Sequence, residues 1–279
     1  MKTILVPTEN MPGMTAVLET ALLLAQRCGS YIEGFPLRFG ISELVALDPA
    51  GSIPLETYRR DSAEEAAHAR RLFEAFMQEH NVPRANASAT GLSFGWLDDA
   101  PEGEAFVGSH GRVFDITVLG RPDANSIGLH TRAIESALFE SGRAIVLSPP
   151  VPPKQIASNV MVHWNCSTEQ AHATAAAMPL LQQAARVTIL NVIGGQGVPG
   201  PSAEQLLKNL QLNGIAAKLM SVGLEGRTTG EAILRAAAAE GCDLLVKGAY
   251  TQSRLRQMIF GGATSHILAH AELPVLMAH

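Results

Sequence analysis

Two kinds of apolar spacing alternate along the chain. Short unbroken apolar runs rich in β-branched residues read as buried strands, and longer stretches with apolar positions three and four apart read as helices with one covered face. In the second half this predicts strands near 159–164, 186–193, 215–222, 243–248 and 273–278, and helices near 167–184, 202–212, 229–240 and 263–271. The same order of elements occurs twice. "TILVPTENMPGMTAVLETALLLAQRCGSYIEGFPL" from Thr3 aligns with "NVMVHWNCSTEQAHATAAAMPLLQQAARVTILNVI" from Asn159. Further on, "DITVLGRPDANSIGLHTRAIESALFESGRAIVLSP" from Asp115 aligns with "DLLVKGAYTQSRLRQMIFGGATSHILAHAELPVLMA" from Asp243. Such a repeat decides the architecture before any single motif does. Strands alternating with helices in each half predict an α/β chain of two tandem doubly wound parallel five-stranded sheets, with helices on both faces. The first domain is read as 1–149, the proline-rich stretch 150–158 as a stiff linker, and the second domain as 159–279. The first half is longer because Pro54 to His80 reads as one charged helix with apolar Leu72, Phe73, Phe76 and Met77, a solvated face over a narrow buried one.

Composition narrows the partners. With 279 residues, 47% of them hydrophobic, the chain can bury two cores. A net charge of −5 without any block of Lys or Arg gives no footprint for nucleic acid or an anionic membrane. The start "MKTILVPTEN" has no apolar signal region, and no apolar run reaches membrane-spanning length, so a soluble cytoplasmic protein is expected. Cys28, Cys166 and Cys242 show no CxxC spacing and are read as small core or near-core residues.

Four motifs invite chemistry. "GSHGR", Gly108 to Arg112, has the letters of an anion-binding loop but precedes its strand, so it is read as a surface connection. "GQGVPG", Gly195 to Gly200, satisfies a dinucleotide fingerprint but follows the second strand of its unit, and Ser202 with Gln205 predicts a capping box that starts the helix after all the glycines. Gly261-Gly262 stands before a helical stretch, with Thr264 adding a hydroxyl, and reads either as a phosphate site at a helix N-terminus or as an ordinary glycine turn. Arg254 and Arg256 lie nearby as phosphate-neutralising or surface cations. His266 and His270 share a helix face without an evident third ligand, so no metal site is expected. No paired carboxylates, Gly-x-Ser-x-Gly or Cys–base pair stands out, and no catalytic set is assigned.

"KGAYTQSRLRQMIFGGATSHILAHAELPVLM" resembles the carboxyl-terminal signature of the universal stress protein family, in which Gly-x-x-Gly, nine residues and then Gly-Ser or Gly-Thr wrap the triphosphate of ATP. The resemblance, which spans the chain as a tandem member, implies sheet order 3-2-1-4-5 in each half. It implies a nucleotide site in the second domain formed by Asn165, Val192, Gly248, Thr251, Gly261, Gly262, Ala263 and Thr264. Thr251 and Gly262 depart from the family pattern, and Asn165 replaces its usual Asp. Implied partners are ATP or another adenine nucleotide, with magnesium accompanying ATP. The last strands, "AIVLSP" and "PVLMAH", are expected to pair, giving an intramolecular pseudo-dimer, with homodimerisation left open. The first half has no diglycine, and its Glu9 keeps a carboxylate without evident partners. The implied role is a stress response exerted through conformation and partners. A nucleotide-free interaction scaffold and a slow ATPase are the alternatives.

Overall fold

β1 (Thr3–Thr8) and β6 (Asn159–His163) are each followed by a turn, a helix and a second strand, as the repeat requires. The computed structural model describes residues 1–38, 40, 54–86, 91–121, 129–249 and 262–279. Packing divides them into two units, Met1–Arg143 and Ala144–His279. Thr251 and Gly261 of the expected site, together with Arg254 and Arg256, lie outside the described residues.

In the first unit β1 is followed by α1 (Met14–Cys28), β2 (Tyr31–Pro36), α2 (Leu55–Glu79), β3 (Ser93–Trp96), α3 (Ala105–Gly111), β4 (Ile116–Leu119) and α4 (Leu129–Glu140). The strands run parallel in the order β3-β2-β1-β4. The second unit contains β5 (Ala144–Leu147), β6, α5 (Thr168–Leu181), β7 (Arg186–Ile193), α6 (Ala203–Leu212), β8 (Ala217–Gly223), α7 (Thr229–Ala239), β9 (Leu244–Gly248), α8 (Gly262–His270) and β10 (Val275–Ala278). Its parallel strands follow the order β8-β7-β6-β9-β10, the expected 3-2-1-4-5. β5 adds to β10 antiparallel, with Leu147 opposite Val275 and Ile145 opposite Met277, so the two last strands of the repeat do pair.

The inner strands are apolar without alternation because helices cover both faces: Ile4, Leu5 and Val6 of β1 and Leu244, Leu245 and Val246 of β9 are all buried. Local chemistry starts the helices. Ser167 caps α5 by accepting from the Gln170 N–H, and capping boxes Ser202/Gln205 and Thr228/Glu231 open α6 and α7. The long helix α2 buries Phe73, Phe76 and Met77 and leaves most of its charged positions exposed. Gly34 of β2 has no room for a Cβ because the Phe73 ring would stand 2.7 Å from it, which brings α2 down onto the sheet.

One expectation fails in the first unit. Gly108 to Gly111 is not a surface connection but the second half of α3. The glycines serve helix packing: a Cβ at Gly108 would lie 2.6 Å from the Ser136 carbonyl oxygen and 2.9 Å from Glu140 Cβ on α4. His110 Nε2 is 2.7 Å from Glu33 Oε1, so the segment faces a carboxylate rather than an anion's place.

The repeat is also visible in how the first strand of each unit is anchored. Asp243, before β9, accepts from the Ser158 and Asn159 N–H groups at 3.1 and 2.9 Å. Asp115, before β4, accepts in the same way from Lys2 and Thr3.

Candidate functional site

In the second unit the strand order reverses between β6 and β9, and the chain leaves these two strands for opposite sides. The crevice beyond their carboxyl ends is where doubly wound sheets hold ligands. Gly248 ends β9 there, packed so closely on the start of α5 that an added Cβ would stand 2.4 Å from Gln170 N and 2.7 Å from Glu169 C. Its N–H donates to Gln170 Oε1 at 2.7 Å. Across the crevice, α8 opens with Gly262 at φ 67°, followed by buried Ala263 and Thr264. A helix of nine residues opening here turns its unpaired first-turn N–H groups toward any anion beside it.

Lys247 joins the two walls. Only 4% exposed, its Nζ donates to the Gly248 carbonyl at 2.7 Å and to Thr264 Oγ1 at 2.9 Å. Burial pushes the amine down from its ordinary 10.5 to about 8, while the Glu169 carboxylate works weakly in the opposite direction. No carboxylate among the described residues reaches ion-pair distance of it. Beside it in the sheet, His163 is 3% exposed, and its Nδ1 has no partner among the described residues. Complete burial, helped by the Lys247 charge, pushes that imidazole down to about 3, so it is neutral.

Asn165 and Val192 approach from the other side. Asn165 Oδ1 accepts the Ser167 N–H at 3.2 Å, which fixes the amide so that its NH₂ remains to donate. Its main-chain oxygen accepts the Val198 N–H at 3.1 Å. Gly197 and Gly200 allow that approach: Cβ atoms there would come within 3.3 Å of the Asn165 oxygen and 2.8 Å of the Cys166 oxygen. The "GQGVPG" stretch is therefore a packing segment, and α6 begins after it at the capping box. Val192 is 8% exposed, near the end of β7. Gln196, on the same connection, places its side-chain amide against Gly262, where a Cβ would lie 2.9 Å from Oε1.

Set against known proteins, residues 158–279 match the family model described as the universal stress protein family, and this span is nearly all of the second unit. The second unit is a universal stress protein domain. No curated protein matches in sequence. A universal stress protein from Archaeoglobus fulgidus has the same fold over 99% of this chain and 97% of its own, at 14% identity and a TM-score of 0.74. A putative universal stress protein from Pseudomonas aeruginosa aligns over 100% of this chain and 93% of its own, at 12% identity and a TM-score of 0.51. The universal stress protein fold thus extends to the first unit as well.

Of the residues expected at a universal stress protein site, Gly248, Gly262, Ala263 and Thr264 converge at the β9–α8 crevice. Asn165 and Val192 stand at the ends of the neighbouring strands. Sequence reasoning missed Lys247, His163 and Gln196. The signal for Lys247 was present as a charged residue inside the otherwise apolar "DLLVKG". The metal reading of His266 and His270 has a local alternative: their rings stack at 4.2 Å, and His270 Nδ1 donates to the His266 carbonyl.

The first unit treats the same place differently. Glu9 does have a partner, contrary to expectation: His130 of α4 sets Nδ1 2.8 Å from Glu9 Oε1 and donates through Nε2 to the Gly120 carbonyl at 3.0 Å. The imidazole is largely buried and spans the ends of β1 and β4. Among the described residues no helix is long and apolar enough to cross a membrane.

Proposed function

We propose that the second unit binds an adenine nucleotide, ATP with its magnesium ion being the fullest occupant, and that the protein acts in a stress response through the conformation and partners this ligand selects. The phosphates lie against the first turn of α8, beside Lys247 and Thr264. The base lies toward Val192, with the Asn165 amide donating to an acceptor of the nucleoside. Magnesium, when it accompanies ATP, supplies charge neutralisation of the phosphate chain.

The observation that carries this reading is the meeting of Gly248 and Thr264 at a buried amine, with Gly262 opening the helix that bears Thr264. The donor set suits a phosphate: backbone N–H groups, a hydroxyl and an ammonium, with no carboxylate among the described residues joined to the amine. Glycine at 248 keeps the backbone bare where a side chain would collide with α5.

One observation favours the nucleotide-free scaffold. The Gln196 amide already stands against Gly262, where it provides a polar neighbour that a decayed site would otherwise obtain from its ligand. The two readings separate in one experiment. Protein purified without added nucleotide is denatured and scanned near 260 nm, and the same preparation is titrated with ATP in a calorimeter. The nucleotide reading expects released adenine or saturable binding at one site per chain. Neither would leave the scaffold reading standing.

A further inference from the structure

Lys247 is an unusual residue for its position. A lysine inside a parallel sheet normally brings a carboxylate with it, because a buried ammonium without a counter-charge is costly. Here its two acceptors are neutral oxygens, of Gly248 and Thr264. The charged and titratable groups that bear on it among the described residues are Glu169 at the start of α5 and His163 on β6; the first is not in ion-pair contact and the second is neutral. One N–H of the ammonium is left without a partner among the described residues, and so is the Thr264 hydroxyl hydrogen.

The chemistry of the Lys247–Thr264 pair depends on the proton. An ammonium can only donate, so Thr264 Oγ1 must accept from it, and the hydroxyl hydrogen must go to a different acceptor. A neutral amine offers a lone pair, which is a better acceptor than any oxygen beside it. Thr264 then donates to Lys247, and the hydroxyl is lost to a ligand.

We propose that Lys247 is the positioning residue of the second-unit site: in its charged form it turns the Thr264 hydroxyl into a donor for a bound phosphate, and in its neutral form it withdraws that donor. This inference rests on the phosphate-binding reading of the crevice and adds its regulation by pH. The balance is one proton. A phosphate arriving when Lys247 is neutral draws a proton from solvent onto the amine, and none is taken up when the amine is already charged. The depressed pKa places the change at about 8, where small shifts in pH alter occupancy. His163 takes no part in the switch because it remains neutral throughout this range.

Calorimetric titrations of the full chain with ATP and separately with tripolyphosphate, at pH 7 and pH 9.5 in buffers of different ionisation enthalpy, test the proposal. The parent protein should bind up to about thirtyfold more weakly at pH 9.5, the cost of protonating the amine above its pKa of about 8, and should take up close to one proton there and almost none at pH 7. Lys247→Met and Thr264→Val should bind at both pH values as weakly as the parent does at pH 9.5, with no proton uptake. Thr264→Ser should restore both affinity and pH dependence. Thermal melts establish that each variant is folded. ATP binding with a flat profile, unaltered by Lys247→Met, would overturn the proposal and leave nucleotide binding intact. Tripolyphosphate binding with the expected profile, but no gain from the nucleoside, would overturn the adenine reading and keep the role of Lys247. Failure of both probes to bind at either pH would overturn both.

Discussion

The two units place different chemistry at the same junction. In the first, the ends of β1 and β4 are bridged by His130, which meets the Glu9 carboxylate on one side and the Gly120 carbonyl on the other. In the second, the end of β9 is bridged to α8 by Lys247, which among the described residues meets only neutral oxygens. The first junction joins an imidazole to a carboxylate; the second has a buried amine with no carboxylate joined to it among the described residues. A fold that repeats itself can therefore satisfy the electrostatics of one copy internally and leave the other to a ligand. On this view the first unit is a structural member and the second a responsive one, and the distinction arises from a few side chains on matching backbones.

The comparison breaks most severely at the glycine that ends the fourth strand of each repeat. At Gly248 a Cβ collides with the backbone of α5, which cannot yield without moving a whole helix, whereas at Gly120 it meets the Met11 and His130 side chains at 3.0 and 3.4 Å. Gly248→Ala should cost about 3 kcal/mol of stability, at the upper end of overpacking effects, and abolish ATP binding. Gly120→Ala should cost under about 1 kcal/mol, because side chains can turn away. Urea midpoints of the two variants read the contrast; equal costs would mean that the two junctions are equally tight.

Removing the bridging side chains should separate the units in sign. His130→Ala leaves the Glu9 carboxylate and the Gly120 carbonyl without this partner, and should cost about 1–3 kcal/mol. Lys247→Met removes a buried charge and should leave the protein at pH 7 as stable as the parent or slightly more so. The pH dependence sharpens this. Because the folded-state pKa of Lys247 lies below the ordinary value, the unfolded chain binds more protons between about 8 and 10.5, and the Lys247 contribution to stability rises with pH across that window. The parent should therefore gain stability relative to Lys247→Met as pH rises from 8 to 10.5. Melting temperatures of the pair across this range check it, and a parent that lost ground to the variant as pH rose would show that the amine is held by a carboxylate after all.

Much of this was legible in the sequence, for identifiable reasons. In the second unit every strand and helix begins and ends within a few residues of where hydrophobic periodicity places it, because the inner strands are covered on both faces and helices α5 to α7 carry their own caps at Ser167, Ser202 and Thr228. The Gly108–Gly111 segment was misread because glycine carries two meanings. A bare backbone suits an anion, and it equally suits a close helix crossing, and only the position of Ser136 and Glu140 decides between them. Partnerships distant in sequence were the least legible. Nothing local to Glu9 announces His130, and nothing local to Lys247 announces Thr264, because each pair forms only after a crossover brings the helix back over the strand ends.

The smallest expected effect lies at the opposite end of the sheet, where the repeat anchors its first strands alike. Asp115 accepts from the Lys2 and Thr3 N–H groups, as Asp243 accepts from Ser158 and Asn159. Burial would raise the Asp115 carboxyl, but those backbone donors and the nearby amino terminus outweigh it and hold the group below its ordinary value. A depressed carboxyl pKa means that the folded chain binds fewer protons than the unfolded one as the pH falls through the acid range. Its contribution is thus fully present above the unfolded value of about 3.9 and is lost as the pH falls through the folded one. Because the group is largely exposed and screened by solvent, Asp115→Ala should cost no more than about 1 kcal/mol at pH 7, and the difference from the parent should vanish in strong acid. Added salt should weaken the charged part of the effect while leaving the hydrogen-bonded part in place. Urea midpoints at pH 7, at pH 3 and in high salt separate these contributions. A cost that persists undiminished into acid would assign the role of Asp115 to packing at the start of β4 rather than to its charge.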